Sequence, residues 1–246
     1  MKEKAAMNAF GVNNNGTLIS HGGIFYTKMI DILATFLNPR AYFEIGTDAG
    51  VSLKAMKCAS VAVDPQFRLA ENVIGSKPSL HMFQMPSDDF FRDHSPIDYL
   101  RRPIELAFLD GMHRFEYLLR DFSNTERYCG KNSIILLHDC LPTTTEMISR
   151  VHTRGAWAGD VWKILPALRK YRPDLQITYL DCPPTGLVAI TNLDPDSSTI
   201  LDGYFSIVRE FIEVDGKALK EFYSRLALTK SADLQSHEEI TKLFWL

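Results

Sequence analysis

The chain has 246 residues, 46% of them hydrophobic and 23% charged, which suits one large globular domain with a full core and excludes a disordered chain. A formal net charge of -3 provides no global basic field for nucleic acid, and no apolar run approaches the ~20 residues of a membrane helix. Four scattered cysteines, Cys58, Cys129, Cys140 and Cys182, and a charged start (Met1-Lys2-Glu3-Lys4) with no apolar run behind it point to a cytoplasmic protein with reduced thiols and no signal peptide.

Residues 1–21 are polar and read as a flexible N-terminal arm. Apolar residues at helical spacing from Ile24 to Phe36 predict an amphipathic helix that ends at Asn38-Pro39. Ala41 to Ile45 is an apolar strand entering a glycine turn, followed by a helix from about Val51 to Lys57. Further strands are expected at 60–63, 80–84, 104–109 and 133–137, and a helix at 115–128. The strands are continuously apolar, as a parallel sheet covered on both faces requires. Leu141 to Gly159 is a long irregular loop of the kind that carries function. Asp160 is the expected N-cap of a helix reaching Lys170. Strands at 175–180 and 187–191 are joined by too few residues for a helical crossover, so that pair should be antiparallel. Beyond Pro195 the chain is helical in two or three pieces and ends in the apolar Phe244-Trp245-Leu246, which suits either an interface or packing on the core.

The chemistry-bearing residues fall at strand ends. Glu44, Gly46 and Gly50, with Thr47 and Ser52 in the same turn, bring bare backbone amides and an acid to the carboxyl edge of the sheet. Asp48 occupies the place of the second glycine of a dinucleotide fingerprint, which argues against a nicotinamide dehydrogenase. Asp64 ends the next strand, where an acid can accept both ribose hydroxyls of an adenosine-type ligand. Ser87 and Asp88 follow the third strand and could meet an adenine edge; Asp88 equally suits a helix N-cap. Asp110 and Asp139 should lie on adjacent strand ends, a pair suited to a hard divalent cation, and His113 or His138 is placed to serve as general base.

Phe43-Glu44-Ile45-Gly46-Thr47-Asp48-Ala49-Gly50, Val63-Asp64, Leu109-Asp110-Gly111-Met112-His113-Arg114-Phe115-Glu116-Tyr117 and Leu137-His138-Asp139 together resemble the class I S-adenosylmethionine-dependent methyltransferases. They are most similar to the small-molecule branch of sugar O-methyltransferases. The resemblance implies a Rossmann-like, doubly wound α/β sheet of seven strands, mostly parallel with an antiparallel last strand, with helices added at both ends. It implies a methyltransferase domain at 22–194 and a C-terminal helical extension at 195–246. It assigns Glu44, Gly46, Thr47, Gly50, Ser52, Asp64, Ser87, Asp88 and Asp110 to S-adenosylmethionine. Asp110, His113 and His138 go to catalysis, and Asp110 and Asp139 to a magnesium ion, although His138 stands where metal-dependent relatives often carry a further acid. The implied function is methyl transfer to a small acceptor, a hydroxyl of a sugar or glycan precursor. The alternative is a cofactor-binding module that acts as a partner protein without transferring a methyl group. Neither nucleic acid nor a membrane is expected as a partner, and a homo-oligomer is left open.

Overall fold

The computed structural model describes residues 17–152 and 154–246; most of the expected N-terminal arm, residues 1–16, lies outside them. In chain order the elements are α1 (Tyr26–Leu37), β1 (Ala41–Ile45), α2 (Val51–Lys54), β2 (Ala59–Val63), β3 (Leu80–Phe83), α3 (Ser87–Asp93), α4 (Pro96–Leu100), β4 (Ile104–Leu109), α5 (Phe115–Glu126), β5 (Cys129–His138), α6 (Ile164–Tyr171), β6 (Gln176–Leu180), β7 (Leu187–Thr191), α7 (Thr199–Phe211), α8 (Gly216–Ser224) and α9 (His237–Thr241). The strands form one sheet in the order β3-β2-β1-β4-β5-β7-β6. All pairings are parallel except those of β7, which runs antiparallel to both β5 and β6.

Alternate residues of the central strands point to opposite faces. Phe43, Val61, Ala107, Ile135 and Val188 enter one apolar core, and Tyr42, Ala62, Leu106, Ile134 and Ala189 enter the other. With both faces covered, the strands can be apolar throughout, which is why they carry no alternating pattern. Ile240 and Phe244 are buried in the second core, so the apolar tail packs on the chain itself at Phe244, whereas Trp245 is exposed.

Several expected boundaries move. α1 starts at Tyr26 instead of Ile24, while Asn38 ends it where expected, in the left-handed conformation at φ 46° with its N–H bonded to the Ala34 carbonyl. The helix after the glycine turn is a single turn, Val51–Lys54, instead of reaching Lys57. β5 begins at Cys129 instead of Ser133, and the pairing of β4 with β5 shifts register between Ile104 and Leu106. Asp160 does not cap the helix that follows it: Val161–Lys163 is a 3₁₀ turn with no side-chain cap, and α6 begins only at Ile164.

Candidate functional site

The parallel strands β1, β2 and β4 all present their carboxyl ends to one side, and a cavity of about 640 Å³ opens there. Gly46, Asp64, Ser87, Asp88, Asp110 and His113 line it, together with Tyr117 and Trp157. Glu44, Thr47, Gly50, Ser52, His138 and Asp139 do not reach its surface; they stand behind it.

On the β1–β2 side the site is built mainly from backbone. Gly46 has φ 85°, and a Cβ there would lie 2.0 Å from the Asp110 carbonyl oxygen, so only glycine lets β1 turn this close to β4. Asp64 accepts the N–H of Asp48 at 2.8 Å and of Gln66 at 2.7 Å, one on each carboxylate oxygen. This holds the acid at the β2 end and ties it to the glycine turn, with further lone pairs left for a ligand. Arg68 donates to Asp48 at 2.6 Å at the rim. Asp88 does not cap α3, whose N-cap is Pro86; it receives a bidentate grip from Arg120 at 2.8 and 2.6 Å. Glu44 is fully buried, accepts the Tyr42 hydroxyl at 2.5 Å, and is pushed by burial up to about 7 against that hydrogen bond. Asp121, beneath Gly111, is likewise pushed up to about 7 by burial.

On the β4–β5 side the site is built from side chains. Asp110 and Asp139 follow paired strand ends, Leu109 opposite Leu137, and two histidines bridge them. His113 Nε2 lies 3.1 Å from Asp139 and 3.5 Å from Asp110. His138 Nδ1 lies 3.3 Å from Asp110 and 3.6 Å from Asp139. Burial pulls His138 down, but the two carboxylates outweigh it and hold the imidazole up at about 10. Burial alone would raise Asp110, yet the histidines bring it down to about 2. His113 is also raised: burial opposes the shift, and Asp110 and Asp139 overcome it. Thr185, just ahead of β7, donates to Asp139 at 2.6 Å. The Tyr26 ring covers His138 at 3.9 Å between centroids, and Trp157 stacks on His113 at 5.0 Å.

Asp110, His113 and Asp139 each offer one ligand atom, and those atoms lie within 4.8 Å of one another. Among the described residues, the buried Asp110 Oδ1 has no hydrogen-bond partner. That donor set fits a divalent cation. The two carboxylates are the donors a hard divalent cation takes, so Asp110 and Asp139 are the residues that would hold it, with His113 beside them.

Tyr26, Arg120 and Thr185 were missed from the sequence. They lie 112, 32 and 46 residues from His138, Asp88 and Asp139, and no local pattern marks them.

Residues 43–140, from β1 through the end of β5, match the family model of a methyltransferase domain. No curated protein sequence matches the chain. Among solved structures, cofactor-bound Rv0187 from MTB aligns with a TM-score of 0.53 at 17% identity, over 68% of this chain and 79% of that one. SAH-bound methyltransferase PaMTH1 from Podospora anserina aligns at 0.52 and 15%, over 69% and 78%. The O-methyltransferase from Bacillus cereus in complex with SAH aligns at 0.51 and 12%, over 74% and 83%. The chain therefore has the fold of the class I methyltransferases, and its methyltransferase-domain match spans the strand ends that build the cavity.

Proposed function

We propose that the protein transfers the methyl group of S-adenosylmethionine to a hydroxyl of a small acceptor, with His113 as the base. One observation carries this reading: a single cavity joins the glycine turn and Asp64 on one side to a histidine held by two aspartates on the other. Two similar structures hold SAH, which supports S-adenosylmethionine as the cofactor here.

The cofactor supplies an activated methyl sulfonium, so the protein has to align the acceptor and take its proton. Asp64 would receive the ribose hydroxyls, and the backbone at Gly46 would face the rest of the donor. Glu44, Thr47, Gly50 and Ser52 would support that turn from behind, and Ser87 and Asp88 would border the adenine end. Asp139 engages His113 Nε2 and holds the ring at the cavity wall, where His113 would take the acceptor's proton. As the O–CH₃ bond forms, the S–CH₃ bond breaks and S-adenosylhomocysteine leaves. Two carboxylates hold His138 up at about 10 and it stands behind the cavity wall, so the base role goes to His113. Asp110 and Asp139 would hold a divalent cation, which would lower the pKa of the acceptor hydroxyl.

A sugar or glycan-precursor hydroxyl is the acceptor we favour. Such a hydroxyl is a weak acid that needs a base, and the Trp157 ring beside His113 offers a face for a sugar's C–H surface. We assign residues 22–194 to the methyltransferase domain and 195–246 to its extension, supported by the burial of Ile240 and Phe244 in the core beneath the sheet. Four free, buried cysteines support a cytoplasmic location, and no described helix is long and apolar enough to cross a membrane.

The test is release of S-adenosylhomocysteine from S-adenosylmethionine across nucleotide sugars, monosaccharides and catechols. Turnover on a sugar hydroxyl is expected. Turnover on catechols alone would replace the acceptor class, and cofactor binding with no turnover on any of them would favour a binding module. Full activity after dialysis against a chelator would remove the metal.

A further inference from the structure

The Gly159-Asp160 segment has no part in the chemistry above, yet it holds the residues around His113 at three points. Asp160 is 1% exposed. Its Oδ1 accepts the N–H of Phe115 at 2.9 Å, and its Oδ2 accepts Lys163 Nζ at 3.0 Å and the Arg150 guanidinium. Phe115 opens α5, two residues after His113. The local N-cap position of α5 is Arg114, whose side chain makes no cap hydrogen bond. The helix therefore takes its cap from a residue 45 positions later in the chain. Arg150 extends the same link, donating to both oxygens of Glu116 at 3.1 and 2.6 Å. Gly159, at φ 65°, lies so close that a Cβ would fall 1.8 Å from the His113 carbonyl oxygen. Trp157 stacks on the His113 ring and donates its Nε1–H to Ser149 at 2.6 Å. Amide, carbonyl and ring around one residue are thus all fixed by one stretch of loop.

We propose that Asp160 is a positioning residue for His113, acting through the N-terminus of α5, and that Arg150 latches the loop to the same helix. Asp160 does not line the cavity, so it acts through His113 and not on the substrate. A residue that served only to cap α5 would need neither the Arg150 bridge nor the backbone contact at Gly159. The inference rests on His113 being the base.

The test needs no acceptor. The His113 ring resonance, identified by its loss in His113→Ala, is expected to be displaced upfield by the stacked Trp157 ring, and Trp157→Ala should mark the unstacked position. In Asp160→Asn and Arg150→Ala the resonance is expected to move most of the way to that position, while S-adenosylhomocysteine affinity by calorimetry stays within about twofold. Arg150→Lys should recover part of the displacement. An unchanged His113 resonance in folded Arg150→Ala and Asp160→Asn would overturn the proposal. If Asp160→Asn does not fold, Arg150→Ala decides alone, since Arg150 is one-third exposed. Normal methyl transfer by His113→Ala would remove the base assignment, a result separate from the resonance measurement.

Discussion

The two sides of the cavity are made in different ways. The β1–β2 side is a short-range device: Gly46, Asp48, Asp64 and Gln66 are within 20 residues of one another, and the contacts between them are mostly backbone amides meeting one carboxylate. The β4–β5 side is long-range: His113 meets Asp139 and Trp157, and His138 meets Tyr26. A site held by backbone tolerates a changed side chain at the cost of affinity. A site held by paired charges loses its chemistry when one member goes, because the partners left behind are buried and unpaired.

The largest effect should come from His113→Ala. Its kcat is expected to fall by about 10²–10⁴ while the calorimetric affinity for S-adenosylhomocysteine is kept. A parallel loss of affinity would mean that the two sides are not separable. Asp64→Ala should do the reverse, weakening S-adenosylhomocysteine by about 10–100-fold through the loss of charge-assisted hydrogen bonds, with kcat at saturating donor largely retained. A pH profile of kcat sharpens the division further. Folded His113 holds its proton above the ordinary value of 6.5, so the free base forms only at higher pH. The rate should therefore climb above pH 6.5, and below it fall by about tenfold per unit. A rate flat from pH 6 to 9 would rule out a single titrating base. The smallest effect is in stability. Glu44 is an acid raised from 4.5 to about 7, so the unfolded chain ionises first and stability is lost as pH rises through that window. Glu44→Gln should then raise the melting temperature by about 5 °C at pH 8 and leave it nearly unchanged at pH 4.5. An equal gain at both values would point to packing instead of charge.

This contrast also explains what could be read in advance. The buried strands, the glycine turn and the acids at strand ends follow from local composition, and β1, β4 and β7 were placed to the residue. The adjacency of Asp110 and Asp139 followed from parallel strand order. The partners of those acids did not. Asp160 has the local signature of an N-cap, and it is a cap, but for α5, a helix earlier in the chain. Asp88 suited either an adenine edge or a cap, and the presence of Arg120 one helix away settles its partner. That Tyr26 covers His138 while His113 borders the cavity is not visible in a motif.

The place of β7 in the sheet bears on how the chain is assembled during synthesis. β6 is made before β7 but pairs with no earlier strand, since β7 lies between it and β5. Until residues 187–191 leave the ribosome, the edge of β5 stays open and β6 has no ladder to join. The hydrogen bond from Thr185 to Asp139 forms with the same insertion. A nascent chain stopped before β7 would thus hold a finished glycine turn and an unfinished acid pair, and its open β5 edge would be the natural place for a chaperone, or another copy of the chain, to bind.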